Sequence, residues 1–355
     1  MNSLKLISLL LILLMINSCG LMTPKWKSIN LTEQDIQTIK LLDIESNTLK
    51  KLIDKPLFNF SEQELNMYLG YLQFVEPDLG SRVQHLARKC LTQPYEIYLL
   101  GEFPVELYDK APLYSIKKSD CVVFAEHIYA MALSYDWESF FAMLQRIRYK
   151  NGEISIITRN HYTEYDWIVN NSWLVQDITE ELAGEKAERV TSIIDKAKFF
   201  KQWDIGQAIP PDTLLWSYIP YQFVPEIINQ LQPGDFVNVV RGNDSSKYVG
   251  HVGLISKSAD GTINFLHSTR PKVKEQLLSN YLENNLKWNK EKEIKNRKIE
   301  AYNEKLKMKN SNKSFKQPLP YFYGFKFLRL REDPLWELVK IDGIYAPKVT
   351  IPSIY

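Results

Sequence analysis

The chain has 355 residues, enough for one elaborated domain or about two ordinary ones with a buried core. Hydrophobic residues make up 45% and charged residues 24%, and these values exclude a disordered or low-complexity chain. The 44 Lys and Arg nearly balance the 42 Asp and Glu, so the net charge of +2 argues against a dedicated nucleic-acid-binding protein. Three cysteines and five histidines leave little material for a disulfide framework or a multi-ligand metal site.

One short apolar run at the start of the chain is typical of an export signal. Residues 6–16 (LISLLLILLMI) are too few to span a membrane, but they suit the hydrophobic region of a secretory signal. Cys19 follows between two small residues, a context that resembles the lipobox of bacterial lipoproteins. We therefore expect a signal peptide over 1–18, lipidation of Cys19, a tether over 19–30 and export to the periplasmic side of the cell envelope. The alternative is an ordinary signal peptide, or a short anchor, with a chance cysteine.

The next segments are helical, and strand-like segments follow later in the chain. Apolar residues recur at three-to-four spacing from 31 to about 99, and Thr32 and Ser61 each begin a capping-box pattern. Strand-like segments rich in Val, Ile, Phe and Tyr lie at 153–162, 172–179, 234–241, 247–256, 262–269 and 321–330. This order predicts an α+β fold with a largely antiparallel sheet. We expect a helical N-terminal extension over 31–80, a main domain over 81–335 and a C-terminal tail over 336–355.

A strongly basic segment interrupts the strand-like part of the chain. Residues 287–316 hold 11 Lys or Arg, 4 Asp or Glu, and neither Gly nor Pro. This composition predicts a charged helix inserted between strands, and a solvated helical excursion is its simplest interpretation. The alternative is a surface that attracts an anionic glycan or acidic lipid headgroups.

Cys121 has the sequence context of a nucleophile. Residues 122–133 are apolar at nearly every position, which predicts a buried helix that begins at Cys121 and is capped by Ser119 or Asp120. A helix N-terminus stabilises anions, so we expect a thiolate there and backbone N–H groups able to hold an oxyanion. Cys90, in contrast, lies near the end of an amphipathic helix and reads as a buried thiol, although an exported protein can also pair it with Cys121.

Two histidines on successive predicted strands complete a candidate triad. Period-two alternation places Val249, His251, Gly253 and Ile255 on one face of the strand 247–256, and the returning strand carries His267. A cysteine nucleophile needs a base, and the base needs a group that fixes its tautomer and orientation. A zinc site built from the same cysteine and histidines is the rival use, but it lacks the close ligand pair usual in structural sites. We expect no metal and no cofactor.

The two histidines can cooperate only if their side chains leave the same face of the hairpin. A two-residue turn at 260–261 would place His267 on the face opposite to that of His251. A three-residue loop over 259–261, with its final glycine in the left-handed conformation, instead places His267 opposite Gly253 and diagonal to His251. The sequence therefore predicts an odd-length loop or a bulge.

Three motifs carry a resemblance to a known superfamily. DCVVFAE (120–126), GHVGLIS (250–256) and FLHST (265–269), in that order, resemble the papain-like NlpC-type cell-wall hydrolases. The segment 83–331 as a whole is similar to the branch described as N-acetylmuramoyl-L-alanine amidases. The resemblance implies a papain-like core in which Cys121 is the nucleophile, His251 the general base and acid, and His267 the orienting group.

By the same resemblance, the segment 159–170 lines the substrate cleft. Aromatic faces stack on sugar rings, and Arg and Asn side chains bind carboxylates and amides. The predicted substrate-binding residues are Arg159, Asn160, Tyr162, Trp167 and Asn170. The alternative is that the aromatic residues belong to the core and that Asn170 caps a turn.

These expectations combine into one predicted activity with two alternatives. The resemblance implies hydrolysis of the amide between N-acetylmuramic acid and L-alanine in peptidoglycan fragments, through an acyl-enzyme. The expected partners are a peptidoglycan or muropeptide substrate and, through the lipid anchor, a membrane, but no nucleic acid. One alternative is an endopeptidase that uses the same triad to cut after γ-D-glutamate. The other is a lipoprotein that binds peptidoglycan without cutting it.

Overall fold

The computed structural model describes residues 25–201, 203, 205, 209–309 and 313–343. The predicted signal peptide over 1–18 and the predicted lipidation site Cys19 lie outside the described residues, together with the first part of the tether. The chain divides into two compact units, Met1–Lys55 and Pro56–Tyr355. The region 31–80, predicted as one helical extension, therefore belongs partly to each unit.

The described part of the N-terminal unit consists of a 3-10 turn and two short helices. The helices are α1 (Glu33–Leu41) and α2 (Ser46–Asp54), after the turn at Lys25–Ser28. The capping box predicted for α1 is present, because the Asp35 N–H donates to Thr32 Oγ1 at 3.1 Å and the Thr32 N–H donates to Asp35 Oδ2 at 2.7 Å.

The larger unit contains most of the helices. They are α3 (Glu62–Val75), α4 (Leu79–Lys89), α5 (Cys121–Ala132), α6 (Trp137–Arg148), α7 (Asp166–Asn170), α8 (Thr179–Ala183), α9 (Lys196–Lys201), α10 (Val224–Ile227), α11 (Leu278–Met308) and α12 (Pro334–Asp342). A second capping box, between Ser61 and Glu64, begins α3 as predicted. Within the described ranges, no helix is both long and apolar enough to cross a membrane.

The strands form one antiparallel sheet. They are β1 (Val175–Asp177), β2 (Glu188–Ile194), β3 (Asp212–Pro220), β4 (Phe236–Gly242), β5 (Lys247–Lys257), β6 (Ile263–His267), β7 (Lys274–Leu277) and β8 (Tyr321–Leu330). Their order is β2-β3-β8-β4-β5-β6-β7, and β1 pairs with β8. Helices followed by an antiparallel sheet confirm the predicted α+β class.

The predicted strands differ from the observed ones in two respects. The segment 153–162 is not a strand: it is a turn-rich stretch whose backbone meets the rest of the chain at the isolated bridge between Tyr149 and Arg159. Ile154 and Ile156 are buried there, so their alternation reflects burial without strand pairing. Three strands, β2, β3 and β7, are not apparent from the sequence pattern, and β7 has only four residues.

Both faces of the central strands are covered. On one face the sheet packs against the first turns of α11 through Val237, Val239, Ile255, Phe265, Phe325, Leu278 and Tyr281. Helix α5 packs against β5, and every residue from Val123 to Ala132 is buried, as its apolar sequence predicts. The Tyr129 hydroxyl of α5 donates to the Gly234 carbonyl at 2.7 Å, which fixes this helix beside the start of β4.

A β-bulge at Gly250 changes the face of one predicted residue. Val239 pairs with His251, but Val240, the next residue of β4, pairs with Val249. Gly250 is therefore the extra residue, and Val249 leaves the opposite face from His251. The predicted alternation holds for His251, Gly253 and Ile255 and is wrong for Val249.

The basic insertion is a helix, as predicted, and an asparagine ladder ties it to the sheet. Three asparagines of α11, spaced seven residues apart, each exchange two hydrogen bonds with the backbone of one residue before or in β8. The pairs are Asn289 with Phe322, Asn296 with Leu319, and Asn303 with Lys316, at 2.7–3.0 Å. The segment 316–322 is thus fastened along the helix at every third residue.

Candidate active site

The β5–β6 hairpin has the register predicted for a functional histidine pair. Leu254 pairs with Leu266 and Lys257 with Ile263, so the two strands are joined through a three-residue loop over 259–261. The Ser258 N–H donates to the Thr262 carbonyl at 2.9 Å, and Gly261 takes the left-handed conformation with φ of 87°. The predicted odd-length loop is confirmed.

This register brings the two histidines into direct contact. His251 Nε2 lies 2.6 Å from His267 Nδ1, the distance of a hydrogen bond. His267 is buried, with its ring stacked on Phe265 at 4.4 Å between centroids and Tyr281 against its edge at 5.4 Å. Packing therefore fixes the ring that orients His251.

The same contact argues against the zinc alternative. Two nitrogens that bind one tetrahedral zinc at its usual bond length lie about 3.3 Å apart, further than the nitrogens of this pair. The described residues also include no group of three or more His, Cys, Asp or Glu side chains placed to hold a metal ion.

Cys121 is the first residue of α5, and the preceding residues hold it in place. The Asp120 carboxylate caps the helix by accepting the Val123 N–H at 2.8 Å. The buried Ser119 donates to Gln93 Oε1 at 2.8 Å, and Ser268, which follows His267, donates to the Ser119 carbonyl at 2.8 Å. These bonds tie the loop before the cysteine to the end of the strand that carries His267.

Cys121 and His251 open onto one cavity of about 700 Å³. Its walls are Cys121, Val122 and residues 161–164, 191–194 and 245–252. The end of β2, the segment before α7 and the start of β5 thus surround the start of α5. This volume is in the range of small-molecule and cofactor sites.

The Cys121 thiol is neutral in this site. Burial, together with the neighbouring Asp120 carboxylate, raises the pKa of Cys121 to about 12, although backbone N–H groups of Val252, Val122 and Cys121 oppose the shift. The predicted resting thiolate is therefore wrong, because desolvation outweighs the stabilisation that the helix start supplies. A base must take the proton when the sulfur attacks.

Both imidazoles of the pair are also neutral. Burial lowers the pKa of His251 to about 3, and the positive charges of Arg241 and Lys274 act in the same direction. Burial likewise lowers the pKa of His267 to about 2, with further contributions from His251 and Lys274. A neutral imidazole has a free lone pair, which is the state a general base requires.

A residue not singled out in the sequence extends the chain of contacts. The Gln276 side-chain amide nitrogen, Nε2, lies 2.9 Å from His267 Nε2. Gln276 belongs to β7 and pairs with Phe265, so it leaves the same face of the sheet as His267, two residues further along β6. Gln276 could not be singled out from the sequence, because β7 (KEQL) is short and charged and does not show the pattern of a strand.

Of the five predicted substrate-binding residues, Tyr162 lines the cavity. Arg159 forms an ion pair with Asp109 instead. The Asn160 amide donates to the Ile147 carbonyl at 2.9 Å, and Asn170 donates to Asn160 Oδ1 at 2.7 Å. These side chains hold the segment 159–170 to α6 and its surroundings.

The fifth of these residues, Trp167, is fully buried in the core. Its ring stacks on Phe236 at 4.7 Å, and its Nε1 donates to Glu126 Oε1 at 3.1 Å. Trp167 is therefore a core residue, which was the alternative to its predicted role in substrate binding. Neither Trp167 nor Arg159, Asn160 or Asn170 is among the described residues that line the cavity.

A buried carboxylate also belongs to the cavity wall. Glu164 is 7% exposed, and its Oε1 accepts the Val249 N–H at 3.2 Å. Burial raises the pKa of this carboxyl. Its place in the segment 159–170 was predicted, but the sequence pattern does not distinguish it from a surface acid.

The remaining cysteine and the histidine of α5 lie away from the cavity. Cys90 is buried with a free thiol, as predicted, and burial raises its pKa to about 12. Cys121 also has a free thiol, so the two cysteines form no disulfide. His127 points to the other side of α5, where its Nε2 accepts the Ser115 N–H at 3.0 Å.

The chain is similar to a known protein family and to solved structures. Residues 85–291 match the model of the AmiA-like family, described as N-acetylmuramoyl-L-alanine amidase-like. A crystal structure from Legionella pneumophila is 20% identical, with 76% of this chain and 95% of that chain covered and a TM-score of 0.56. A crystal structure of an N-acetylmuramoyl-L-alanine amidase from Bacteroides uniformis is also 20% identical, covers 71% and 99%, and has a TM-score of 0.51. These two likenesses show a shared fold, and a search of curated proteins finds no match.

Proposed function

Because the chain belongs to the AmiA-like family of N-acetylmuramoyl-L-alanine amidase-like proteins, we propose that it is a cysteine amidase acting on peptidoglycan fragments. Its substrate bond would be the amide between N-acetylmuramic acid and L-alanine. The observation that carries the proposal is that Cys121 and His251 line one cavity while His251 contacts the buried His267 at 2.6 Å. Helix α5 and strands β4–β6 would then be the core of a papain-like hydrolase.

In the proposed reaction, Cys121 Sγ attacks the lactyl carbonyl carbon while His251 takes the thiol proton. Backbone N–H groups of Cys121, Val122 and Val252 surround the sulfur and are candidates to bind the oxyanion. His251 then gives the proton to the alanine nitrogen, the C–N bond breaks, and the lactyl group remains as a thioester on Cys121. Water, deprotonated by His251, attacks the thioester and releases the sugar acid and the thiol.

The cavity wall supports a glycopeptide as substrate. Tyr162 offers an aromatic ring for a sugar face, and the polar residues Thr191 and Ser192 also line the cavity. The free thiol with two neutral histidines needs no cofactor for amide hydrolysis.

A second candidate is a γ-D-glutamyl endopeptidase with the same triad. Glu164 favours it, because a buried carboxylate in the cavity suits the free ammonium group of the stem peptide's L-alanine. The amidase would meet a sugar at that position instead. Glu164→Gln would therefore weaken endopeptidase binding strongly and amidase binding little.

The test is incubation with defined muropeptides followed by mass spectrometry. Free tripeptide or tetrapeptide together with the intact sugar supports the amidase, and L-alanyl-γ-D-glutamate supports the endopeptidase. No product at high protein concentration would overturn both and support a binding lipoprotein. Cys121→Ala should abolish the products, and the matched variant Cys90→Ala should keep them, because Cys90 is buried away from the cavity. If Cys90→Ala abolished the products and Cys121→Ala kept them, the assignment of Cys121 as the nucleophile would be wrong.

We further propose that the protein is exported and anchored through lipid on Cys19, which rests on the sequence context of that residue. Cys19→Ser should abolish incorporation of labelled fatty acid and move the protein from the membrane fraction to the soluble fraction. Membrane association that survives this change would favour an uncleaved apolar anchor.

A further inference from the structure

The net positive charge of the chain comes from α11 and the segment that follows it. Residues 287–316 hold 11 Lys or Arg against 4 Asp or Glu, whereas acidic residues outnumber basic ones in the rest of the chain. Charges of alternating sign along a helix face are typical of a helix that is simply solvated. The distribution of charge around α11 therefore distinguishes a solvated helix from an interaction surface.

Seven exposed residues form one continuous stripe along α11. They recur at three-to-four spacing, so they lie on one face of the helix. We call this set the basic stripe, and its members are Lys287, Lys290, Ile294, Lys298, Ala301, Lys305 and Met308. The stripe is about 30 Å long from its first residue to its last. It contains four lysines and no carboxylate, because the glutamates between residues 287 and 308 lie at other positions around the helix.

The basic stripe lies on the side of α11 opposite the asparagine ladder. Lys298 and Lys305 each follow a ladder asparagine by two residues, which is about 200° around a helix. The ladder holds the other side of α11 against the segment 316–322. Ile294 and Met308 are apolar, yet they are 59% and 83% exposed. The fold therefore directs the stripe, including its apolar side chains, toward solvent.

Neighbouring carboxylates do not neutralise the four lysines of the stripe. Among the ion pairs of the described residues, none involves any of these lysines, whereas Arg297, beside the stripe, pairs with Glu293 at 2.5 Å. Lys292, nearer the ladder, donates to the Pro320 carbonyl at 2.6 Å. The cations of α11 that have protein partners thus lie outside the stripe, and those within it are available to an anionic partner.

The composition of the stripe favours anionic phospholipid over an anionic glycan. Lysines bind an acidic lipid surface through charge, while apolar side chains on the same helix face enter the boundary between headgroups and acyl chains. Ile294 and Met308 supply that apolar part. A sugar polymer is better recognised by aromatic rings, and the stripe contains no aromatic residue.

We propose that the basic stripe of α11 binds the headgroups of anionic phospholipids at a membrane surface. The proposal rests neither on the amidase activity nor on lipidation of Cys19. The test measures sedimentation of the Cys19→Ser chain, which carries no acyl group at that residue, with phosphatidylcholine vesicles that contain or lack phosphatidylglycerol. We expect at least about 10-fold tighter binding to the anionic vesicles, and a preference that weakens as salt is added. Equal binding to both kinds of vesicle would overturn the proposal.

Two matched sets of substitutions, made in the same chain, test whether the stripe is responsible. The first set is Lys287→Gln, Lys290→Gln, Lys298→Gln and Lys305→Gln together. It should weaken binding to anionic vesicles at least about 10-fold, since each lysine near an acidic surface strengthens binding several-fold. The control set changes four exposed lysines elsewhere to glutamine, at Lys40, Lys117, Lys150 and Lys272. An equal loss in the two sets would mean that net charge alone attracts the protein and would contradict the stripe.

A third variant separates a lipid surface from other anionic polymers. Ile294→Gln together with Met308→Gln keeps all four lysines, so a loss of vesicle affinity of at least about 3-fold would come from the apolar contact. Unchanged vesicle affinity would contradict the lipid assignment. Sedimentation with purified peptidoglycan is the parallel measurement. Binding to peptidoglycan that depends on the four lysines, without a preference for anionic vesicles, would show that the stripe binds glycan and would overturn the proposal.

Discussion

At the scale of single residues, Gly253 determines how closely the two histidine strands approach. A Cβ atom at this position would lie 2.6 Å from Phe265 Cε2 and 2.8 Å from both His267 Cβ and the Leu266 carbonyl oxygen. Backbone and packed rings cannot give way as a flexible side chain can. The absence of a side chain at 253 is therefore what allows His267 to reach His251.

Gly253→Ala should displace β6 and separate the histidines. We expect a loss of about 1–3 kcal/mol in the free energy of unfolding, measured in urea, and a larger fractional loss of turnover. Gly250→Ala is the matched control, because its Cβ would meet the movable Arg241 side chain, whose Cδ lies at 2.7 Å. A smaller stability loss at 253 than at 250 would contradict this account.

Cys90 and Cys121 should be alkylated at different rates because the reagent reaches them differently, and not because their thiols differ in pKa. The pKa of each thiol is raised to about 12, but Cys90 is buried and Cys121 is partly exposed at the cavity. Iodoacetamide should therefore label Cys121 first, as intact mass of the single-alanine variants will show. Because the raised pKa leaves little thiolate at neutral pH, the labelling rate should rise about tenfold per pH unit from 7 to 9. A rate already constant above pH 6 would indicate a preformed thiolate.

Residue-level prediction succeeded where the determinants are local. The cap at Asp120, the apolar helix after Cys121 and the loop parity between His251 and His267 all follow from short stretches of sequence. The roles of Arg159 and Trp167 could not be predicted, because their partners lie far along the chain in Asp109 and Phe236. A residue type suited to binding sugar or carboxylate is equally suited to the core once such a partner is present.

At the scale of elements, the asparagine ladder explains how a charged helix is held on the sheet. Seven residues of helix advance about 10.5 Å, and three residues of extended chain advance about 9–10 Å. The two repeats therefore have matching lengths from Asn289 to Asn303, and each amide satisfies one backbone N–H and one backbone carbonyl of the segment 316–322. The spacing of asparagines is visible in the sequence, but the segment they bind is not.

Asn296→Ala should destabilise the protein more than Asn303→Ala. Asn296 is buried, so its loss leaves the Leu319 N–H and carbonyl unpaired at a cost of about 1–3 kcal/mol, measured as the free energy of unfolding. The bonds of Asn303 are exposed, and water replaces them at lower cost. Equal effects would mean that the ladder is solvated along its length.

At the scale of the whole molecule, fold class and family were within reach of the sequence. Helical periodicity, capping boxes and β-rich segments predict the α+β class, and the order of three short motifs indicates the family. The division at Lys55 and the pairing of β2 with β3 were not predicted. Such features depend on contacts between distant segments, which a periodic pattern does not encode.

The histidines of the whole chain also share one electrostatic property. Burial lowers the pKa of every one of them, to about 4 for His85, about 3 for His127, His161 and His251, and about 2 for His267. In the unfolded chain each has a pKa near 6.5. Between about pH 6.5 and pH 4 the unfolded state therefore binds more protons than the native state, so stability rises with pH in this window and falls as the solution is acidified.

Glu126 opposes this trend. Burial raises its pKa to about 7, so the native state binds a proton there that the unfolded state releases above about pH 4.5. One such carboxyl offsets about one histidine, and the balance remains with the histidines. We expect the free energy of unfolding to fall by more than about 2 kcal/mol between pH 7 and pH 5, measured as the urea midpoint at constant ionic strength.

The matched variant is His85→Gln, at a partly exposed position of α4 where His85 Nε2 contacts the Tyr68 hydroxyl at 2.8 Å. Without this histidine, the unfolded state binds one proton fewer in excess of the native state. The free energy of unfolding should therefore depend less steeply on pH, by up to about 1.4 kcal/mol per pH unit. Glu126→Gln should make it steeper by a similar amount, because it removes the opposing group. A midpoint that is constant or higher at pH 5 would show that buried carboxyls such as Glu164 and Asp235, whose pKa values burial also raises, outweigh the histidines.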